Sequence, residues 1–116
     1  MMPTAEKNFR VFLKPGGTDM RKSYNGLTGI VQNELRLDPF SRSLFVFCNR
    51  KGNLLKIIYW DRNGFCIWQK RLEKDRFPWP SSKSEALEIT PEELNWLLNG
   101  IDFRRAHRSM NCELTG

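Results

Sequence analysis

Apolar residues gather into three runs between Leu44 and Leu72: Leu44 to Cys48, Leu54 to Trp60 and Phe65 to Leu72. Two polar, glycine-containing stretches separate them, Asn49-Arg50-Lys51-Gly52-Asn53 and Asp61-Arg62-Asn63-Gly64. Short β-branched and aromatic runs between turn residues predict strands, and Asn-Gly after Asp predicts a hairpin because Asn and Gly tolerate positive φ. These strands are apolar on both faces: Phe45 and Phe47 oppose Leu44, Val46 and Cys48, while Ile57 and Tyr59 oppose Ile58 and Trp60. A sheet packed on one side would alternate more cleanly, so a C-terminal helix, the Phe77-Pro78-Trp79-Pro80 segment or another subunit must cover the second face.

The flanks add fewer elements. Phe9 to Lys14 reads as a short first strand stopped by Pro15-Gly16-Gly17. Thr18 or Asp19 can then cap a helix, in which Met20, Tyr24, Leu27, Val31 and Leu35 recur at helical spacing, with Ile30 on the same side, up to Leu37-Asp38-Pro39. Gly26 and Gly29 inside it cost about 1 kcal/mol each relative to Ala unless they allow close approach to the sheet. Ser81 to Ser84 reads as a loop, and Glu88-Ile89 as a short extended piece. Thr90-Pro91-Glu92-Glu93 starts a second helix, with Thr90 as N-cap, Pro91 at the first position and Glu93 closing a capping box. Leu94, Leu97, Leu98 and Ile101 form its stripe, and Gly100 its stop. The predicted fold is α+β: a small antiparallel sheet, made of a three-stranded meander and a short N-terminal strand, packed with two helices. It forms a single domain over 1–116, with a core from about 9 to 105 and a frayed tail over 106–116.

Composition narrows the class. The 116 residues suffice for one hydrophobic core, and 40% apolar residues argue against a largely disordered chain. No run of eighteen apolar residues exists and the N-terminus lacks a signal-peptide core, so a cytoplasmic protein without a membrane partner is expected, with nucleoid association left open. Cys48, Cys66 and Cys112 are too scattered for a disulfide framework or a zinc site, and no metal or cofactor is expected. Cys48 and Cys66 fit strands as small buried thiols.

Net charge is +6, unevenly spread. Residues 1–83 hold 16 Lys/Arg against 7 Asp/Glu, whereas 84–103 hold five acids and no Lys/Arg. A basic body suggests a polyanionic partner. In a meander the first turn and the end of the third strand lie at one edge, so Arg50, Lys51, Lys70, Arg71, Lys74 and Arg76 can share a surface; Arg21 and Lys22, at the helix start, are separate solvent-facing cations that can reach a nucleic-acid backbone. These eight are the candidate nucleic-acid-binding residues, because phosphate contact needs only cations along a path. Solubilising charge at hairpin tips and sheet edges explains the same pattern. Pro15 to Ser23 leads from strand to helix start as a phosphate loop would, but it matches no nucleotide motif, and Asp19 stands where the anion would sit. Tyr59, Trp60, Phe65 and Trp68 read as core aromatics, whereas Phe77 and Trp79, stiffened by Pro78 and Pro80, are the candidate partner-binding residues. Asp19, Asp38, Asp61 and Glu73 each have a structural explanation, and His107 has no evident triad partner, so no catalytic residue is assigned.

These residues resemble a known family. Thr18-Asp19-Met20-Arg21-Lys22-Ser23 with Gly26-Leu27, Asp38-Pro39-Phe40, Leu44 to Gly52, Lys56 to Asp61, Gly64-Phe65, Trp68, Lys70 to Glu73, Phe77, Trp79-Pro80 and Gly100 to Arg104 are together similar to the small TnpB accessory proteins encoded by the second open reading frame of insertion sequence 66 elements. The resemblance runs from about Val11 to Arg105. Asn25 stands where Asp is expected and Phe103 where Trp is common. The resemblance implies a bacterial mobile element whose transposition requires this protein beside a separate, larger transposase, and it brings no catalytic residues. The expected function is therefore a non-enzymatic accessory role, with DNA (non-specific or element ends) and the transposase as partners and homo-oligomerisation left open. Two alternatives remain: a metal-dependent nuclease subunit, which needs Asp19, Asp38 or Asp61 to converge, and a subunit that binds protein only.

Overall fold

Strand β1 (Arg10–Leu13) ends before Pro15, and the chain crosses helix α1 (Tyr24–Asn33) to reach β2 (Ser43–Cys48). The meander follows as β3 (Leu54–Asp61) and β4 (Gly64–Arg71), then β5 (Leu87–Ile89) and helix α2 (Pro91–Leu98). The computed structural model describes residues 9–81 and 85–102. Residues 82–84 of the loop expected over Ser81 to Ser84, the tail from Ala106, Phe103, His107 and Cys112 lie outside the described residues.

The five strands form one sheet in the order β4-β3-β2-β1-β5. The meander pairs antiparallel as its turns dictate, with Phe45 opposite Ile58 and Ile57 opposite Trp68. The N-terminal strand departs from the antiparallel expectation: β1 runs parallel to β2, with Val11 opposite Leu44. A parallel neighbour requires a crossover, and α1 supplies it. Glu88-Ile89 belongs to a true fifth strand, antiparallel to the outer side of β1.

Both faces of the sheet are covered by the chain itself. On one, Leu27, Ile30 and Val31 of α1 pack with Leu35 on Phe12, Phe45, Phe47 and Ile58. On the other, Leu94 and Leu97 of α2 and Phe77 pack on Val11, Leu13, Leu44, Val46, Cys48, Leu55 and Ile57. The double-sided apolar pattern of β2 and β3 follows from this three-layer arrangement, since successive side chains enter opposite cores.

The helix ends differ in how local they are. At α2 the Glu93 N–H donates to Thr90 Oγ1 (3.0 Å) and the Thr90 N–H to Glu93 Oε1 (2.8 Å), the expected capping box. Its other end closes with Gly100 N–H to the Leu97 carbonyl and Ile101 N–H to the Trp96 carbonyl, a Schellman pattern. Helix α1, expected to start at Thr18 or Asp19, begins at Tyr24 after Ser23, whose side chain makes no capping bond. Two ties hold residues 19–22 out of the helix. Asp19 turns back on Arg21, and Lys56 Nζ on β3 donates to the Met20 (2.8 Å) and Lys22 (3.2 Å) carbonyls. Tyr24 is consequently exposed (46%) rather than part of the buried stripe. Neither Gly26 nor Gly29 approaches the sheet: Gly26 faces the Lys22 stem and Gly29 open space.

Candidate nucleic-acid interface

Three segments meet at the end of the sheet where β2 turns into β3. The first is the β2–β3 turn. Asn49 Oδ1 accepts from the N–H groups of Gly52 (2.9 Å), Asn53 (3.0 Å) and Leu54 (3.1 Å), fixing the tip that displays Arg50 and Lys51. Gly52 takes φ 84° there, a left-handed conformation that glycine adopts without strain.

The segment following β1 lies beside this tip. The Thr18 N–H donates to the Cys48 carbonyl (2.8 Å), and a Cβ on Gly17 would lie 2.7 Å from Arg50 Cα, so only glycine permits the approach. The chain after β4 closes the other side. Leu72 N–H donates to the Asn53 carbonyl and Phe77 N–H to the Gly52 carbonyl, both at 2.8 Å, which lays the Arg76 stem against Gly52. The two basic groups inferred separately from the sequence, Arg21-Lys22 and the meander cations, therefore occupy one end of the sheet.

The cations are not equivalent. Arg50, Lys51, Lys74 and Arg76 are exposed and make no ion pair among the described residues. Lys22 is also exposed, and its carbonyl receives the bond from Lys56. Arg21 is tied to Asp19 through Nε and Nη2, the latter at 2.8 Å, and these bonds pull the Asp19 carboxyl down to about 2. Arg71 stands 3.5 Å from Glu73 in a solvent-exposed pair. Lys70 departs from the expected surface. It projects to the α2 face, one residue out of phase with Arg71, and its Nζ donates to the Leu98 carbonyl (2.9 Å), neutralising the negative end of α2. Lys56, which sequence reading passed over, fastens the Met20–Lys22 strap to the sheet. A lone Lys inside an otherwise apolar strand was its available signal.

The aromatics also sort differently from expectation. Phe77 is 4% exposed and belongs to the α2-side core, so it is not an exposed docking side chain. Trp79 is half-buried, and its Nε1 donates to the Gly16 (2.9 Å) and Lys14 (3.2 Å) carbonyls, binding the segment after β4 to the loop after β1. The surface aromatics lie instead at the far end of β3. There Phe40, 54% exposed, meets Trp60 and Phe65, with ring centroids 5.0–5.2 Å apart. Phe40 was missed because Asp38-Pro39 reads as a turn; Asp38 Oδ1 does accept the Phe40 N–H (2.9 Å).

The acidic residues occupy separate places. Asp19 lies at the basic end, Asp61 closes the hairpin at the opposite end of β3, and Glu73 faces Arg71. No group of three or more His, Cys, Asp or Glu side chains comes together among the described residues, so the convergence required by the nuclease alternative is not found there. Cys48 is buried, which pushes its thiol up to about 11, while Cys66 is half-buried beside the core. Glu88 of β5 pairs bidentately with Arg10 (2.7 and 2.8 Å), lowering the Glu88 carboxyl, and the Arg10 guanidinium also lies over the Phe12 ring (4.9 Å). No helix among the described residues is long and apolar enough to cross a membrane.

Comparison with known proteins covers this whole arrangement. A protein from Sinorhizobium fredii, uncharacterized protein y4hO, is 45% identical over 104 residues, spanning 90% of each chain. A second from the same organism, uncharacterized protein y4jC, is 34% identical over 102 residues, spanning 88% of this chain and 87% of its own. No solved structure matches. The family model described as IS66 Orf2 like protein matches residues 9–108, from the first strand past the second helix and through every segment of the basic end, and the chain belongs to that insertion-sequence family.

Proposed function

We propose that this protein is a non-enzymatic accessory factor of transposition that holds DNA by its phosphate backbone at the basic end of the sheet, beside the transposase of the same element. One observation carries the reading: Arg50 and Lys51, Lys74 and Arg76, and Lys22 come from three separate segments and are exposed at one end of the molecule. Cations gathered this way suit a run of phosphates, which demands charge along a path rather than a shaped pocket. The contributing segments are mutually fastened by backbone hydrogen bonds, so the charges are presented on a preorganised surface.

The test is a titration of the purified protein against element-end DNA and unrelated DNA across a salt series, with and without transposase. Five unpaired cations predict a log–log salt slope of about −4 to −5, and Arg50→Ala with Lys51→Ala reduces its magnitude by about 2. Equal affinity for both DNAs assigns the contact to the backbone alone. Binding only when transposase is present makes the protein a bridge within that complex. No binding at low salt, where phosphate contacts are strongest, refutes the DNA reading.

A further inference from the structure

β4 is the outermost strand on the side of the sheet away from β5. Its hydrogen-bonding phase follows from the bonds at the strand ends. Leu72 N–H donates to the Asn53 carbonyl directly opposite, so Asn53–Leu72 is a bonded pair. Such pairs alternate along an antiparallel ladder, which makes Leu55–Lys70, Ile57–Trp68 and Tyr59–Cys66 the next ones. The other side of β3 agrees: Asn49 N–H donates to the Leu54 carbonyl, so Leu54, Lys56 and Ile58 face β2 instead. The backbone N–H and C=O groups of Phe65, Ile67, Gln69 and Arg71 therefore point away from β3. None of these four makes a backbone bond to another segment among the described residues.

This edge has few of the usual defences against pairing. It runs for eight residues without proline, and Phe65, Cys66, Ile67 and Trp68 make half of it apolar and half-buried on both faces. Its charges stand only at the C-terminal end, as Lys70 and Arg71.

We propose that β4 pairs antiparallel with β4 of a second copy of this chain, about a two-fold axis at Trp68, joining two five-stranded sheets into one. The axis position follows from the bonding phase. Only with Trp68 on the axis do all four outward-turned residues find partners within the strand, Phe65 against Arg71 of the second copy and Ile67 against Gln69. Charge favours the same register. It sets Arg71 against an aromatic ring and Lys70 against Cys66, whereas an axis at Lys70 would place the two Lys70 ammonium groups face to face. On the axis the two Trp68 side chains meet as a non-bonded pair, the closer kind of cross-strand pair, on the α2 face.

The experiment measures solution mass by sedimentation across the micromolar range, alongside a cross-link. The full chain sediments as a dimer. Gln69→Pro, which removes an N–H directed away from β3 and leaves the β3 ladder intact, sediments as a monomer. In a Cys112→Ser background, Lys70→Cys places a thiol opposite the natural Cys66 of the second copy. That is within disulfide reach across a non-bonded pair, whereas the same two positions within one strand are about 13 Å apart. Mild oxidation then yields a covalent dimer that disappears when Cys66→Ser is added. This cross-link decides the matter on its own if Gln69→Pro fails to fold. A monomer throughout the range, a dimer indifferent to Gln69→Pro, or a dimer that does not cross-link overturns the proposal. Dimerisation is read without DNA, so it stands or falls separately from the phosphate-binding function.

Discussion

A single side-chain oxygen organises the tip that carries Arg50 and Lys51. Asn49 Oδ1 accepts three backbone N–H groups while its Nδ2 donates to Asn53 Oδ1 at 2.8 Å. Ala at this position would strand those donors in a half-buried turn, where each lost partner costs on the order of 1 kcal/mol. Asn49→Ala is therefore expected to lower the unfolding free energy by about 2 kcal/mol, and Asn49→Asp, which keeps the accepting oxygen, by less than half as much. Urea unfolding of the two variants checks this, and equal losses would mean that the turn is held by other contacts. Asp19 acts on charge instead of shape. Its carboxyl is lowered to about 2 chiefly by the Arg21 side-chain bonds, so the pair contributes above the ordinary Asp range and is lost only as pH falls through about 2. Arg21 is thus partly neutralised at every pH at which the protein would meet DNA, and Arg50 and Lys51 carry more of the proposed contact.

At the scale of elements, local signals were legible and distant ties were not. The three meander strands, their turns and both ends of α2 could be read because each is set by residues within one turn of it: Asn49 and Gly52, Asp61 to Gly64, Thr90 with Glu93, and Gly100. Even there one detail moved: the β3–β4 turn places positive φ on Arg62 (55°), not on Asn63 or Gly64. The start of α1 could not be read, because it depends on Lys56 reaching across from β3, a residue more than thirty positions away. Lys70 was misplaced for the same reason, since its partner is the end of α2. Phe77 shows the point best. Proline-flanked and following a basic run, it reads as an exposed docking residue, yet it fills the core between sheet and α2. Phe77→Ala is accordingly expected to lower stability by about 3 kcal/mol, as large-to-small changes in a packed core do. It should also loosen the segment that presents Lys74 and Arg76. A variant of undiminished stability in denaturant unfolding would return Phe77 to the surface role.

At the scale of the whole molecule, charge is unevenly spread: cations outnumber acids at the β2–β3 end, where Asp19, Glu73 and Asp75 also lie, while Glu85, Glu88, Glu92 and Glu93 lie on and around β5 and α2, toward the β5 edge of the sheet. Like charges held at one end repel one another, and that repulsion acts in the folded protein more than in the expanded chain. Arg50, Lys51, Lys74 and Arg76 have no ion-pair partner among the described residues, so no direct ion pair there offsets their mutual repulsion. If their role is to meet phosphate, stability and DNA affinity respond to them in opposite directions. Raising monovalent salt shortens the Debye length, about 10 Å at 0.1 M, and screens the repulsion between charges farther apart than that, so the urea midpoint is expected to rise while DNA affinity falls. Arg50→Gln with Lys51→Gln is expected to mimic that salt effect at low ionic strength, with unchanged or slightly raised stability and weaker DNA binding. Charges retained for the fold would behave otherwise, their removal lowering the midpoint together with any affinity. Parallel urea melts and DNA titrations of the wild type and the double variant, at low and at high salt, separate the two cases by sign alone.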